Sequence, residues 1–156
     1  MRLDAKTLAI VAALVAFALT LVLWPKKARS AEDEIRALVA QCVASVEDKS
    51  LSTISDAMAD DFKGPDNASR AEVKQLIAYQ VLRSGEATTL FNPSLTVTVT
   101  NATGATISGK FIFARGKPKS LDGLPQGEAL GAYQIDARLE KRDGRWKFLA
   151  ATYRPL

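Results

Sequence analysis

The spacing of apolar residues changes period once along this chain, at Gly85, and that change sets what it can fold into. Before Gly85 they recur every three or four residues; after it they alternate. Ile35, Leu38, Val39, Cys42, Val43 and Val46 form one stripe of an amphipathic helix. Ser30 is placed to cap it, with Asp33 three residues on as a capping-box variant. Glu32, Asp33 and Glu34 load its first turn with negative charge, which the helix dipole favours. A second, short helix is expected over about Leu51–Met58. Asp60-Asp61-Phe62 then leads into the break at Gly64-Pro65. Ser69 with Glu72 is a capping box that opens a third helix, Arg70–Ser84, with Val73, Leu76, Ile77, Gln80 and Val81 facing inward and Gly85 as its C′ stop.

Beyond Gly85, Leu95, Val97 and Val99 alternate with Thr96, Thr98 and Thr100, and Asn101–Gly104 is a hairpin turn. Ile107, Phe111 and Phe113 alternate with Ser108, Lys110 and Ile112. The stretch Gly116–Gly127 reads as a long hairpin loop. Tyr133, Ile135, Ala137 and Leu139 alternate with Gln134, Asp136, Arg138 and Glu140. Arg142-Asp143-Gly144 turns the chain, and Trp146, Phe148 and Ala150 alternate with Lys147 and Leu149. Helices followed by antiparallel strands make an α+β fold, with about three helices on a curved sheet of four or more strands. One sheet face packs on the helices and the other is at least partly solvated. A ligand pocket would lie between helices and sheet.

Ahead of this domain runs Thr7–Trp24, 18 residues without a charge. As a helix it would reach about 27 Å, the thickness of a bilayer's hydrocarbon core. The expectation is a short tail (1–6), a single-pass transmembrane helix (7–24), a basic juxtamembrane linker (25–30) and a domain (31–156). Arg2 and Lys6 flank the run on one side, Lys26, Lys27 and Arg29 on the other, and Trp24 suits the interface. The alternative is a signal peptide cleaved after Ser30, but the run is longer than a usual signal core and cations crowd the cleavage region. The domain is expected on the extracytoplasmic side, periplasmic if bacterial.

Of 21 Lys/Arg and 17 Asp/Glu, five basic and one acidic residue fall in positions 1–30, so the domain carries 16 of each. A neutral domain argues against nucleic-acid binding, which leaves a basic footprint. The chain has no histidine, which removes His-activated nucleophiles, His-ligated metals and a histidine base. Cys42, the single cysteine, lies on the apolar helix stripe and reads as a core residue. Asp60-Asp61 reads as a solvated turn rather than a base or metal pair. Asp136, Arg138, Glu140 and Lys141 read as cross-strand charge pairs on the solvated face.

The order α-α-α-β-β-β-β over residues 31–155 resembles the NTF2-like superfamily. The resemblance is carried by the long first helix, by Asp60-Asp61-Phe62 with Gly64-Pro65 and the capped third helix, and by the closing hairpin Leu139–Phe148 with its DGRWK turn. It implies a cone-like fold with a helix-lined pocket, dimers through the outer sheet face, and functions that include isomerases, dehydratases, transport adaptors and scaffolds. Isomerase-like members need an acidic base and a Tyr–Asp oxyanion hole; dehydratase-like members need a His–Asp pair. Neither set is recognisable here. The pocket candidates are Cys42, Tyr79, Gln80, Phe111, Phe113, Tyr133, Trp146 and Phe148, with Thr152 also considered. No catalytic residue, metal or cofactor is assigned. The reading is a membrane-anchored interaction module, similar in layout to anchored secretion-system components and Mce-associated proteins. It would meet a protein partner or a second copy through the sheet. An apolar small molecule or lipid in the pocket, or an enzyme, is the alternative.

Overall fold

The computed structural model describes residues 28–83, 88–116 and 129–156. Ser30 caps α1 (Ala31–Glu47), its hydroxyl accepting from the Asp33 amide at 3.1 Å. Ile35, Val39 and Val46 are buried, and Leu38 and Val43 pack against the same core. Next come α2 (Leu51–Ala57), β1 (Met58–Lys63), a short 3-10 turn over Pro65–Asn67, and α3 (Arg70–Arg83). The capping box forms in both directions: Ser69 N–H donates to Glu72 Oε2 at 2.7 Å and Glu72 N–H to Ser69 Oγ at 3.3 Å. Four long strands follow, β2 (Thr88–Val99), β3 (Gly104–Arg115), β4 (Ala129–Arg142) and β5 (Arg145–Pro155).

These strands form one five-stranded sheet in the order β1-β5-β4-β3-β2, so β4 is its centre. On the inner face Ala105 lies opposite Leu139, Ile107 opposite Ala137 and Phe111 opposite Tyr133. Ile35 and Val39 of α1 meet this face in the main core, together with Leu139 and Trp146. The β4–β5 turn places Asp143 at φ 50° and Gly144 at φ 74°. Both lie in the left-handed region required of a two-residue hairpin whose twist matches the sheet.

Three local expectations need correction. Met58–Lys63 is not a helix end followed by a polar break; it is an edge strand, parallel to β5, with Met58 opposite Phe148. Met58, Ala59 and Phe62 are buried while Asp60 and Asp61 are exposed. A parallel partner so distant in sequence leaves no local signature. In β5, a bulge between Phe148 and Ala150 shifts the phase. Ala151, opposite Ala137, then joins the core, while Ala150 lies opposite Arg138 on the outer face. Finally, α3 leans on β1 and α2. Val81 is buried there, but Leu76 is 51 % exposed and Gln80 is also exposed.

Among the described residues no helix is long and apolar enough to cross a membrane. The run Thr7–Trp24, its flanks Arg2, Lys6, Lys26 and Lys27, the Gly85 stop and loop positions 117–127 lie outside the described residues.

Candidate functional site

The pocket candidates separate into three environments. Phe111 and Trp146 are buried in the main core, and Phe148 packs against it. Phe113 and Tyr133 continue the inner face as an edge-to-face pair with centroids 5.9 Å apart, and Tyr153 extends that row at 5.7 Å from Tyr133. Tyr153 and Tyr79 are each 53 % exposed. Asn92 sits in the β2 bulge opposite Phe111, and its Oδ1 is buried with no hydrogen-bond partner. Cys42 is half-buried, and burial pushes its thiol up to about 11. It therefore stays protonated and unreactive near neutral pH. Thr152 does not face inward: it pairs with Asp136 on the outer face.

Two charge clusters tie helices to the closing hairpin. Glu34 Oε2 accepts from Lys141 Nζ at 2.8 Å and from Trp146 Nε1 at 2.9 Å. Lys141 also lies 5.7 Å from the Trp146 ring centroid, and its own N–H donates to Thr103 O at 2.7 Å. Those donors hold the Glu34 carboxyl below the usual carboxylate range, the Lys141 bond first. On β1, Asp60 pairs with Arg70 at 2.5 Å and Asp61 with Arg142 at 2.6 Å. Arg142 also reaches Glu140 at 2.7 Å. The Arg142 bonds lower the Asp61 carboxyl, and the Asp61 bond in turn raises the Arg142 guanidinium. The aspartate pair is solvated as expected, but it lies on an edge strand rather than in a turn, and each carboxylate pairs with an arginine of another element. Among the described residues no cluster of metal-ligating side chains occurs.

The outer face differs in kind. Thr96 and Thr98 of β2, Thr106 and Ser108 of β3, Asp136 and Arg138 of β4, and Ala150 and Thr152 of β5 line an open groove of about 410 Å³. Ile107, Ala137 and Ala151 also border it. Their side chains point inward, so they contribute its backbone floor. Ser108 Oγ donates to Asp136 Oδ1 at 2.5 Å and accepts from Gln134 Nε2 at 2.8 Å. Arg138, exposed on the same strand, has no ion-pair partner among the described residues. The expected cross-strand charge ladder does not form. Glu140 pairs with Arg142 along its own strand, Lys141 points to Glu34, and Asp136 bonds a serine. Alternation places these residues outward, but only the strand register shows that small side chains surround Asp136 and Arg138.

No protein-family model matches the chain, and no curated protein matches it significantly. Solved structures do. An NTF2-like protein with a cystatin-like fold from Novosphingobium aromaticivorans is 18 % identical with a TM-score of 0.64, covering 98 % of this chain and 90 % of its own. A second protein of that organism, provisionally identified as a scytalone dehydratase, is 15 % identical with a TM-score of 0.63 over 79 % of this chain and 82 % of its own. An NTF2-like protein of unknown function from Pseudomonas putida is 16 % identical, TM-score 0.63, covering 79 % and 84 %. At such identities the likeness speaks for architecture alone: the chain has the NTF2-like, cystatin-like α+β fold.

Proposed function

We propose that this chain is a non-catalytic interaction module of NTF2-like fold, held at a membrane by residues 7–24 as a single-pass anchor. Its domain would lie on the extracytoplasmic side. The observation that carries the reading is the outer sheet face. It is an open, hydroxyl-lined groove, with a guanidinium on the central strand that has no ion-pair partner among the described residues. The chemical groups of the domain support a binding role. The aspartates of β1 are engaged by arginines, Cys42 is a half-buried, protonated thiol, and the chain has no histidine to drive a dehydratase-like step.

The test is extraction of the full chain in mild detergent, lysine crosslinking and mass measurement. Crosslinks through Lys110, which is exposed on the outer face, are expected to join the chain to a defined partner. A chain that stays monomeric and crosslinks to nothing overturns the reading. Protease treatment of intact against lysed spheroplasts tests the side of the membrane: digestion in intact spheroplasts is expected, and digestion only after lysis of the inner membrane overturns the extracytoplasmic assignment.

A second reading draws on the inner face. The row Phe113–Tyr133–Tyr153 ends at an exposed ring. At the β2 bulge, opposite the Phe111 that pairs with Tyr133, lies the unpartnered Asn92 amide oxygen. An apolar small molecule carrying one hydroxyl suits that surface. Saturable quenching of tyrosine fluorescence by a lipophilic alcohol, lost in Tyr133→Ala, would support it; non-saturating quenching would end it.

A further inference from the structure

We infer that the partner met by the outer face presents an extended segment laid along β4, with acidic side chains at positions i and i+4 and a lysine between them at i+2. The inference rests on the proposed reading of that face as an interaction surface and names the chemistry of its occupant. The domain is neutral as a whole, but its charge is segregated. Residues 31–83 hold six Lys/Arg and ten Asp/Glu; residues 84–156 hold ten and six. Three of the sheet's cations stand on the outer face: Lys110 on β3, Arg138 on β4 and Arg154 on β5. All are exposed. Among the described residues, no hydrogen-bond or ion-pair partner engages their side chains.

Their spacing is that of an extended chain. Lys110 and Arg154 lie opposite Gln134, one on each side, each on a strand about 5 Å from β4. Gln134 and Arg138 are four residues apart on β4, about 14 Å in a strand. Acidic side chains at i and i+4 of an extended segment have the same separation and the same facing. One meets Arg138; the other sits over Gln134, between Lys110 and Arg154. Asp136 lies midway. Ser108 donates to one of its oxygens at 2.5 Å, and the other oxygen is left for a cation. Side-chain lengths are complementary too. The sheet's long cations meet short acids, and short Asp136 meets a long lysine. Thr106, Ser108, Ala150 and Thr152, which flank Asp136 and Arg138, are small. The segment can therefore settle at about 10 Å, the spacing of stacked sheets. A carboxylate amid three cations disfavours a uniform polyanion, such as a phosphate backbone or an anionic lipid surface, and selects for the alternating pattern.

Calorimetric titration of the full chain in detergent with synthetic peptides tests this. Ser-Glu-Ser-Lys-Ser-Glu-Ser carries the pattern; Ser-Glu-Ser-Glu-Ser-Glu-Ser is more acidic but places a carboxylate against Asp136. The first is expected to bind at least about tenfold tighter. Arg138→Glu should weaken it by a similar factor, while Lys74→Glu, on the exposed side of α3, should leave it unchanged. Asp136→Lys should invert the preference between the two peptides, which also shows that the altered chain folds. Tighter binding of the all-acidic peptide by the unaltered chain overturns the inference, as does an Asp136→Lys variant with the original preference. So does equal weakening by Lys74→Glu, or an oligodeoxythymidine that binds ahead of the patterned peptide. A chain that binds neither peptide yet still crosslinks to a partner through Lys110 ends this inference alone; one that does neither ends the reading of the face as well.

Discussion

Glu34 places one carboxylate oxygen between a lysine and an indole, and its half-exposed position makes the consequence measurable. Lys141 and Trp146 both donate to the ionised form, so the folded-state pKa lies below 4.5. A group depressed in this way contributes stability above its unfolded value, and that contribution is lost as pH falls through the folded value. The melting temperature should therefore hold near neutrality and decline on acidification below about 4.5. Asp61 and Glu72 are depressed too, by Arg142 and by the Ser69 amide respectively, and act with the same sign. Glu34→Gln should reduce the acid slope without abolishing it; an unchanged slope would show that the Glu34 cluster is not formed in solution. Cys42 gives a second residue-scale outcome. With its thiol pushed to about 11, alkylation near neutral pH should be at least tenfold slower in the native chain than in urea, by roughly the thiolate fraction lost with burial. Equal rates would place Cys42 at the surface.

At the scale of elements, the closing hairpin and the capped helices were legible because their signals are local. Ser30 before an acidic turn, Ser69 with Glu72, and Asp143-Gly144 between alternating runs each act within four residues. Ser30→Ala should cost about 1 kcal/mol in urea unfolding, since it strands the Asp33 amide at the α1 N-terminus. Leu139, 1 % exposed between β3 and β5, should cost about 2–5 kcal/mol when changed to Ala. A loss under about 1 kcal/mol would mean that the inner face of β4 is not packed as described. What stayed illegible depends on distant partners. β1 looks polar because Asp60 and Asp61 face out, and its strand geometry comes from β5, some 90 residues on. The β5 bulge was hidden by three successive apolar residues, Leu149, Ala150 and Ala151, which fit either phase of the alternation. The outer groove was half legible. Alternation puts Asp136 and Arg138 outward, yet their small neighbours belong to β3 and β5, and only the register brings them together. Leu76 and Gln80 were misplaced because a helical stripe shows which face is apolar, not how wide the surface is that receives it.

Across the whole molecule, the two sheet edges and the two sheet faces are treated differently. The inner face is covered by α1 and continues into an aromatic row. The outer face is open. At the β1 edge of the sheet, α3 packs against the strand. The long β2 edge is defended by a bulge, by a proline that cannot donate, and by Arg36, whose guanidinium takes the Leu95 carbonyl at 3.0 Å while pairing with Glu32 at 2.8 Å. An undefended strand of this length would template pairing with another chain. Removing the last two of these devices should open the edge to strand pairing. Arg36→Ala frees the carbonyl, and Pro93→Thr restores an amide donor on the same strand. The double variant should form open-ended, concentration-dependent aggregates visible by light scattering, where the unaltered chain does not. Each single change should have the smaller effect, because the other residue's defence survives it. If the double variant scatters like the unaltered chain, the β2 edge is protected by something other than these two residues.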